Sequence, residues 1–248
     1  MVNCEDRGDV YVITIDRPEA KNAIDKETAD QLREAWNSFG TSDAKVGILT
    51  GQGTESFSAG ADLKKMDLED RDEGYLGFTR MTVEKPTLAA IEGYCVAGGL
   101  EMALWCDMRI ASREAEFGCY ERRFGVPLVD GGTQRLPRII GQGRALDMII
   151  TGRSVDAETA MDWGLVNRLT PAGDALETAI ELGETIADYP QSTLRADRKS
   201  VYRGIGSSLQ EGLDIERELG NQTFETALEG AREFSEGAGR HGEGVEDV

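Results

Sequence analysis

Glu101 is the single charged residue between Gly93 and Asp107, in a stretch otherwise made of small, apolar and aromatic side chains. A carboxylate in such surroundings is desolvated, which raises its pKa and makes a general acid or base near neutral pH. The plainer alternative is a Glu on one wet stripe of a buried helix. Glu121, twenty residues on in EFGCYERRFGVPL, says less by itself, because Arg122 and Arg123 beside it suggest a surface salt bridge. Asp130, in VDGGTQRL, reads first as a turn or cap residue, and Asp62 as the N-cap of a helix.

Two glycine-flanked turns accompany these carboxylates: Ser58-Ala59-Gly60-Ala61-Asp62, and Val96-Ala97-Gly98-Gly99-Leu100-Glu101. Each precedes a predicted helix, and its small residues let a ligand approach the backbone. Free N–H groups at a helix start point outward with positive partial charge. Brought together, two such turns would cup an oxyanion with two backbone donors; either alone reads equally as ordinary turn glycine. The fragments GQGTES and GQGRALD lack the spacing of a dinucleotide fingerprint, so no NAD site is expected.

What is scarce narrows the chemistry further. The sole histidine, His241, sits in the Gly- and Glu-rich tail GAGRHGEGVEDV, which reads as disordered. Ser-His-Asp and Cys-His catalysis and His-rich zinc sites are thereby set aside. Cys4, Cys95, Cys106 and Cys119 contain no C-x-x-C pair and read as buried free thiols of a reducing cytosol. Lys and Arg total 27 against 46 Asp and Glu, a net charge of −19. Nucleic acid and anionic lipid are poor partners for such a chain. Acidic residues spread along the sequence, with only 7 of the cations Lys, resemble a halophile's surface. The N-terminal MVNCEDRGDV has no apolar core of a secretory signal, and no apolar run reaches membrane-spanning length. A cytoplasmic chain without membrane contact is expected.

The elements that must position these residues follow from periodicity. Alternation in VYVITI (10–15) predicts a strand. Asp25 caps a helix to about Phe39, with Ala29, Leu32, Ala35, Trp36 and Phe39 on one face. KVGILTG is a buried strand, and FSAGADLKKM a turn entering a helix. Residues 68–80 are charged and aperiodic and read as a mobile surface segment. KPTLAAIEG is a strand, YCVAGGLEMALWC a turn entering a helix, DMRIAS a strand, and GGTQRLPRIIG a turn with helix. GLVNRL (164–169) is the last strand, and from 174 onward the pattern is helical. The succession argues α/β with an appended helical module. The expected division is a core of 1–189, a helical region of 190–235 and a disordered acidic tail of 236–248.

Three segments in order and spacing resemble the crotonase superfamily, the enoyl-CoA hydratase/isomerase group. They are FSAGADLKKM; KPTLAAIEGYCVAGGLEMALWCDMRIAS; and EFGCYE…GGTQRL with the later TGRSVDAETAMDWGLVNRL. The similarity runs from VITIDRPEAKNAI to GAREF. It implies a spiral of strand–strand–helix units with a C-terminal helical region that builds trimers, often paired as hexamers. It implies further that Ala59 and Gly98 are the backbone donors to a thioester oxygen and that Glu101 and Glu121 are the catalytic glutamates. The turn Ala59, Gly60, Ala61, Asp62 and the RPEAKNAI loop would touch coenzyme A, which belongs to the substrate; no separate cofactor or metal is implied. Hydration of a 2-enoyl-CoA is then the expected activity. Double-bond isomerisation on the same scaffold is the alternative, since some dienoyl-CoA isomerases carry a third carboxylate near the position of Asp130. A non-catalytic acyl-CoA-binding protein is less favoured, because it would need neither glutamate. The Arg122-Arg123 pair departs from the pattern and would either reposition or neutralise Glu121.

Overall fold

The computed structural model describes residues 1–236, and the chain divides into two compact units, Met1–Glu184 and the part from Thr185 onward. In the first unit, β1 (Val2–Asp6) pairs antiparallel with β2 (Val10–Ile15). Then come helix α1 (Lys26–Thr41) and strands β3 (Val46–Gly51), β4 (Ser56–Ser58), β5 (Thr87–Ile91) and β6 (Tyr94–Val96). Helix α2 (Gly98–Trp105) precedes β7 (Met108–Ser112) and β8 (Glu116–Gly118). Helices α3 (Gly132–Ile140) and α4 (Gln142–Thr151), strand β9 (Ser154–Asp156), helix α5 (Ala157–Asp162) and strand β10 (Arg168–Thr170) follow.

Two sheets result, one ordered β1-β2-β3-β5-β7-β10 and the other β4-β6-β8-β9. Each step along the chain gives one strand to each sheet: β3 then β4, β5 then β6, β7 then β8. Within the sheets, β2-β3-β5-β7-β10 and β4-β6-β8 are parallel. This is the spiral that the resemblance implied, with a loop over 59–86 in place of a helix after the β3–β4 step. The central strands β3 and β5 are buried throughout, as interior parallel strands must be.

Helix α1 starts where its cap predicts: Asp25 Oδ1 accepts the Thr28 N–H at 2.9 Å. Its buried face comprises Thr28, Ala29, Leu32, Ala35, Trp36 and Phe39. At its other end the buried Lys85 donates to the Phe39 carbonyl (2.9 Å) and the Ser42 carbonyl (2.6 Å), placing a cation at the negative end of the helix. Trp36 packs against Trp105 of α2 with ring centroids 4.7 Å apart, which locks α1 to the helix that carries Glu101.

Four expectations are corrected. No helix follows Asp62; residues 63–65 form a turn that stops at Met66, whose backbone is left-handed at φ +45°. The 68–80 segment is not a mobile surface stretch throughout, since Leu76, Phe78 and Thr79 are buried and the Phe78 ring packs against both Trp36 and Trp105. The strand expected over 164–169 shortens to β10, with Leu165 and Val166 buried in a turn ahead of it. Of the four thiols, Cys4 is exposed, because it lies on the polar edge strand β1 (VNCED), which has a neighbour on one side only.

Helix α6 (Ala175–Asp188) crosses from one unit to the other, and α7 (Gln191–Gly204), α8 (Leu209–Asn221) and α9 (Phe224–Glu236) complete the second unit. Ser208 and Glu211 close a reciprocal capping box at the start of α8. The tail expected to be disordered lies, apart from Glu236 at the end of α9, outside the described residues, and so does His241.

Candidate active site

The two glycine-flanked turns meet because glycine removes the atoms that would hold them apart. A β-carbon on Gly60 would collide with the backbone nitrogen of Gly98, and one on Gly99 with the Ser58 carbonyl. Gly60 also has φ +81°, a left-handed conformation that glycine adopts freely. Ala97, at the N-cap of α2, has φ +53° and ψ −129° although it carries a side chain. Strain of this kind, of order 1–3 kcal/mol, persists where surrounding structure fixes it, often at a functional site. Here the Ala97 N–H donates to the Gly118 carbonyl at 2.9 Å, which ties the turn to β8.

The first turn is braced from beneath by Asn22. Its buried side-chain amide donates to the Ser56 carbonyl at 2.6 Å, and its main-chain carbonyl accepts the Ser58 hydroxyl at 2.8 Å. The same bracing corrects one expected role. The Ala59 N–H donates to the Lys21 carbonyl at 3.0 Å, so Ala59 is not a free backbone donor. The Ala61 and Gly98 N–H groups have no hydrogen-bond partner among the described residues, and both residues line the central cavity. The Ala61 nitrogen lies 3.5 Å from where a β-carbon on Gly98 would stand, so the two free amides are neighbours.

That cavity, about 270 Å³, is walled by Leu63, Leu68, Tyr75, Leu76, Phe124 and Val126 among others. Into it the chain places Glu101, Glu121 and Asp130. Glu101, 3% exposed, is held on α2 with one oxygen anchored: its Oε1 accepts the Asp130 N–H (2.9 Å) and the Gly132 N–H (2.8 Å). Burial pushes its carboxyl up to about 7 against the pull of the Gly132 and Asp130 N–H donors, with the Asp130 and Glu121 charges adding to the rise. Glu121 lies on a 3₁₀ turn over Tyr120–Phe124 and is 6% exposed, with no hydrogen-bond partner for either carboxylate oxygen among the described residues. Burial raises its pKa too, and its own backbone N–H and then the Arg122 charge offset part of the rise.

The arginine pair that threatened to neutralise Glu121 turns elsewhere. Arg122 donates to the Ile149 carbonyl (3.2 Å), while Arg123 donates to the Gly152 carbonyl (2.9 Å) and covers the Tyr120 ring. Asp130 is a turn residue, as read, and one oxygen of its carboxylate, Oδ1, accepts the Leu76 N–H and the Thr79 hydroxyl. Ala59, Ala61 and Gly98 line the cavity, whereas Gly60 and Asp62 are not among its lining residues. Asp62 instead joins Arg17 at 2.9 Å, and Arg17 also reaches Asp25, which Lys65 contacts as well. Burial alone would raise the Asp25 carboxyl, yet Lys65, Thr28 and Arg17 hold it below the usual carboxylate range. This network fastens the 17–25 loop to the 61–65 turn.

Tyr75 and Leu76 were missed as cavity residues; the apolar pair inside a charged segment was the one available signal. Among the described residues no group of three or more His, Cys, Asp or Glu converges as a metal site requires.

Comparison with known proteins agrees with this geometry. Residues 5–241 match the family model described as enoyl-CoA hydratase/isomerase. The chain is 40% identical over 225 residues to the "Probable enoyl-CoA hydratase echA8" of Mycobacterium tuberculosis, covering 88% of this chain and 87% of the relative. It is 36% identical over 231 residues to the "Short-chain-enoyl-CoA hydratase" of Clostridium acetobutylicum, with 90% and 88% covered. The crystal structure of the enoyl-CoA hydratase EchA1 from Mycobacterium marinum superimposes with a TM-score of 0.90 at 36% identity, over 95% of both chains.

Proposed function

Because the chain belongs to the enoyl-CoA hydratase/isomerase family, we propose that it adds water across the double bond of a 2-enoyl-CoA thioester, as a hydro-lyase. One observation carries this reading: two buried carboxylates share a cavity with two unengaged backbone N–H groups. The thioester oxygen binds between the Ala61 and Gly98 amides. As water attacks the β-carbon, the π electrons move towards that oxygen, and the resulting enolate is stabilised by about 2.7–4 kcal/mol per preorganised donor.

Glu101 is the base. Its Oε1 is fixed by two N–H groups, which leaves Oε2 to orient water and take its proton. Glu121, buried and with no hydrogen-bond partner for its carboxylate oxygens among the described residues, is the acid that delivers a proton to the α-carbon. One proton enters Glu101 and one leaves Glu121, so the pair keeps a single proton through the step. Coenzyme A arrives with the substrate, and the scheme needs no further cofactor. Of the third carboxylate that would favour isomerisation, Asp130, one oxygen (Oδ1) is held by Leu76 and Thr79.

We further propose that the chain works in a reducing cytosol as a homotrimer or a pair of trimers. Product analysis with crotonyl-CoA and with a longer 2-enoyl-CoA tests the activity. The 3-hydroxyacyl product is expected; a shifted double bond without hydration overturns the hydratase reading in favour of the isomerase.

A further inference from the structure

We propose that Asp130 is a positioning residue, tying the 74–79 segment that walls the cavity to the backbone that holds Glu101; this rests on the hydratase reading above. The side chain and the main chain of this one residue face different tasks. Its Oδ1 accepts the Leu76 N–H at 3.2 Å and the Thr79 hydroxyl, more than fifty residues away in sequence. Its own N–H donates to Glu101 Oε1 at 2.9 Å. Leu76 and its neighbour Tyr75 line the cavity. A shift of Asp130 therefore moves the acyl wall and the general base together.

Two guanidinium groups reinforce the same junction. Arg135 donates to the Asp130 carbonyl at 2.8 Å and to the Thr79 carbonyl at 2.5 Å. Arg80 donates to the Val129 carbonyl at 3.0 Å. Both bridge 79–80 to 129–130, and both place positive charge near a carboxylate that is 2% exposed. Burying a carboxylate against neutral donors is costly, and an apolar residue would close the cavity wall at lower cost. The charge has a use at this place: Glu101 and Glu121 are the other carboxylates of the cavity, Tyr75 and Tyr120 its phenols, and an ionised Asp130 beside Glu101 makes Glu101 a stronger base, while burial raises the pKa of Asp130 itself.

Asp130→Asn and Asp130→Ala separate these roles. Asparagine keeps an acceptor oxygen and loses the charge; alanine loses both. In Asp130→Ala, amide hydrogen exchange across 74–79, measured without substrate, should rise at least about 10-fold, and kcat/KM should fall by about 10²-fold as wall and base lose their alignment. In Asp130→Asn, exchange should stay close to wild type, while the acid limb of the kcat/KM profile moves to lower pH, because Glu101 then gives up its proton more readily. A purely structural Asp130 would leave that limb in place, and this outcome overturns the proposal. Unchanged exchange in a folded Asp130→Ala protein overturns it as well. If the alanine variant does not fold, the pH profile of Asp130→Asn decides alone. Wild-type protein that hydrates no 2-enoyl-CoA would sink the hydratase reading, and the exchange measurement would still decide whether Asp130 ties the two segments.

Discussion

Glu101→Gln and Glu121→Gln should each lower turnover by about 10²–10⁴-fold, the range for a positioned acid or base. Binding of a non-reacting acyl-CoA should be nearly kept, because the Ala61 and Gly98 amides are untouched. Steady-state rates beside a calorimetric titration check both, and a variant that retains more than about a tenth of wild-type turnover removes its glutamate from the pair. The same residue has an effect on stability. In the folded chain the Glu101 carboxyl is pushed up to about 7, against about 4.3 when unfolded. The folded state then holds the proton more tightly, so its stability falls as pH rises between those values and stays low above them, by on the order of 3 kcal/mol. Glu101→Gln should therefore melt higher than wild type at pH 8, and by a wider margin there than at pH 5. Equal melting points at pH 8 would show that burial of this charge carries no stability cost. Glu101 was legible in the sequence because its isolation among apolar neighbours is local. Glu121 was not, because its arginine neighbours suggested pairing, and only the fold reveals that both point to carbonyls on α4 and at its end.

At the scale of elements, the start of α2 carries the sharpest test. Gly98 is its first helical residue, where proline is tolerated because the N–H has no partner within the helix. Gly98→Pro removes that N–H and should lower kcat/KM by about 10²–10³-fold, the loss expected for one oxyanion donor. Circular dichroism must first show the helices intact, since a β-carbon at this position meets the Leu76 side chain at 3.0 Å and the Gly60 backbone at 3.1 Å, and both must give. A folded variant with unimpaired hydration takes Gly98 out of the oxyanion site. The neighbouring turn shows what sequence could not deliver. Which amide of Ala59-Gly60-Ala61 is free depends on the Lys21 carbonyl, brought into range by the left-handed backbone at Lys21 and Asn22. No local pattern encodes that. Helix α1, by contrast, announced itself through its Asp25 cap and apolar spacing, both confined to a few turns. The 68–80 segment misled for the converse reason: its charges dominate the composition, while the partners of Leu76, Phe78 and Thr79 come from α1, α2 and the 130 turn.

At the scale of the whole molecule, the second unit leaves Leu209, Leu213, Phe224, Leu228 and Phe234 exposed on α8 and α9. Apolar helical faces of this kind commonly bury themselves on neighbouring copies, and closed symmetry is the usual result. Each chain also carries a net charge of −19, so assembling copies concentrates negative charge that only salt can screen. Light scattering in molar salt should give a trimer or hexamer that dissociates or unfolds as salt is withdrawn. A stable monomer in high salt would rule the assembly out, and a melting point indifferent to salt would rule out the halophilic character. The cysteines offer a way to count the copies directly. Cys95, Cys106 and Cys119 are buried, and Cys4 alone is exposed, on the edge strand β1. A thiol-reactive dye applied to the folded protein should therefore attach once per chain, and the number of bleaching steps seen in single immobilised particles becomes the number of subunits.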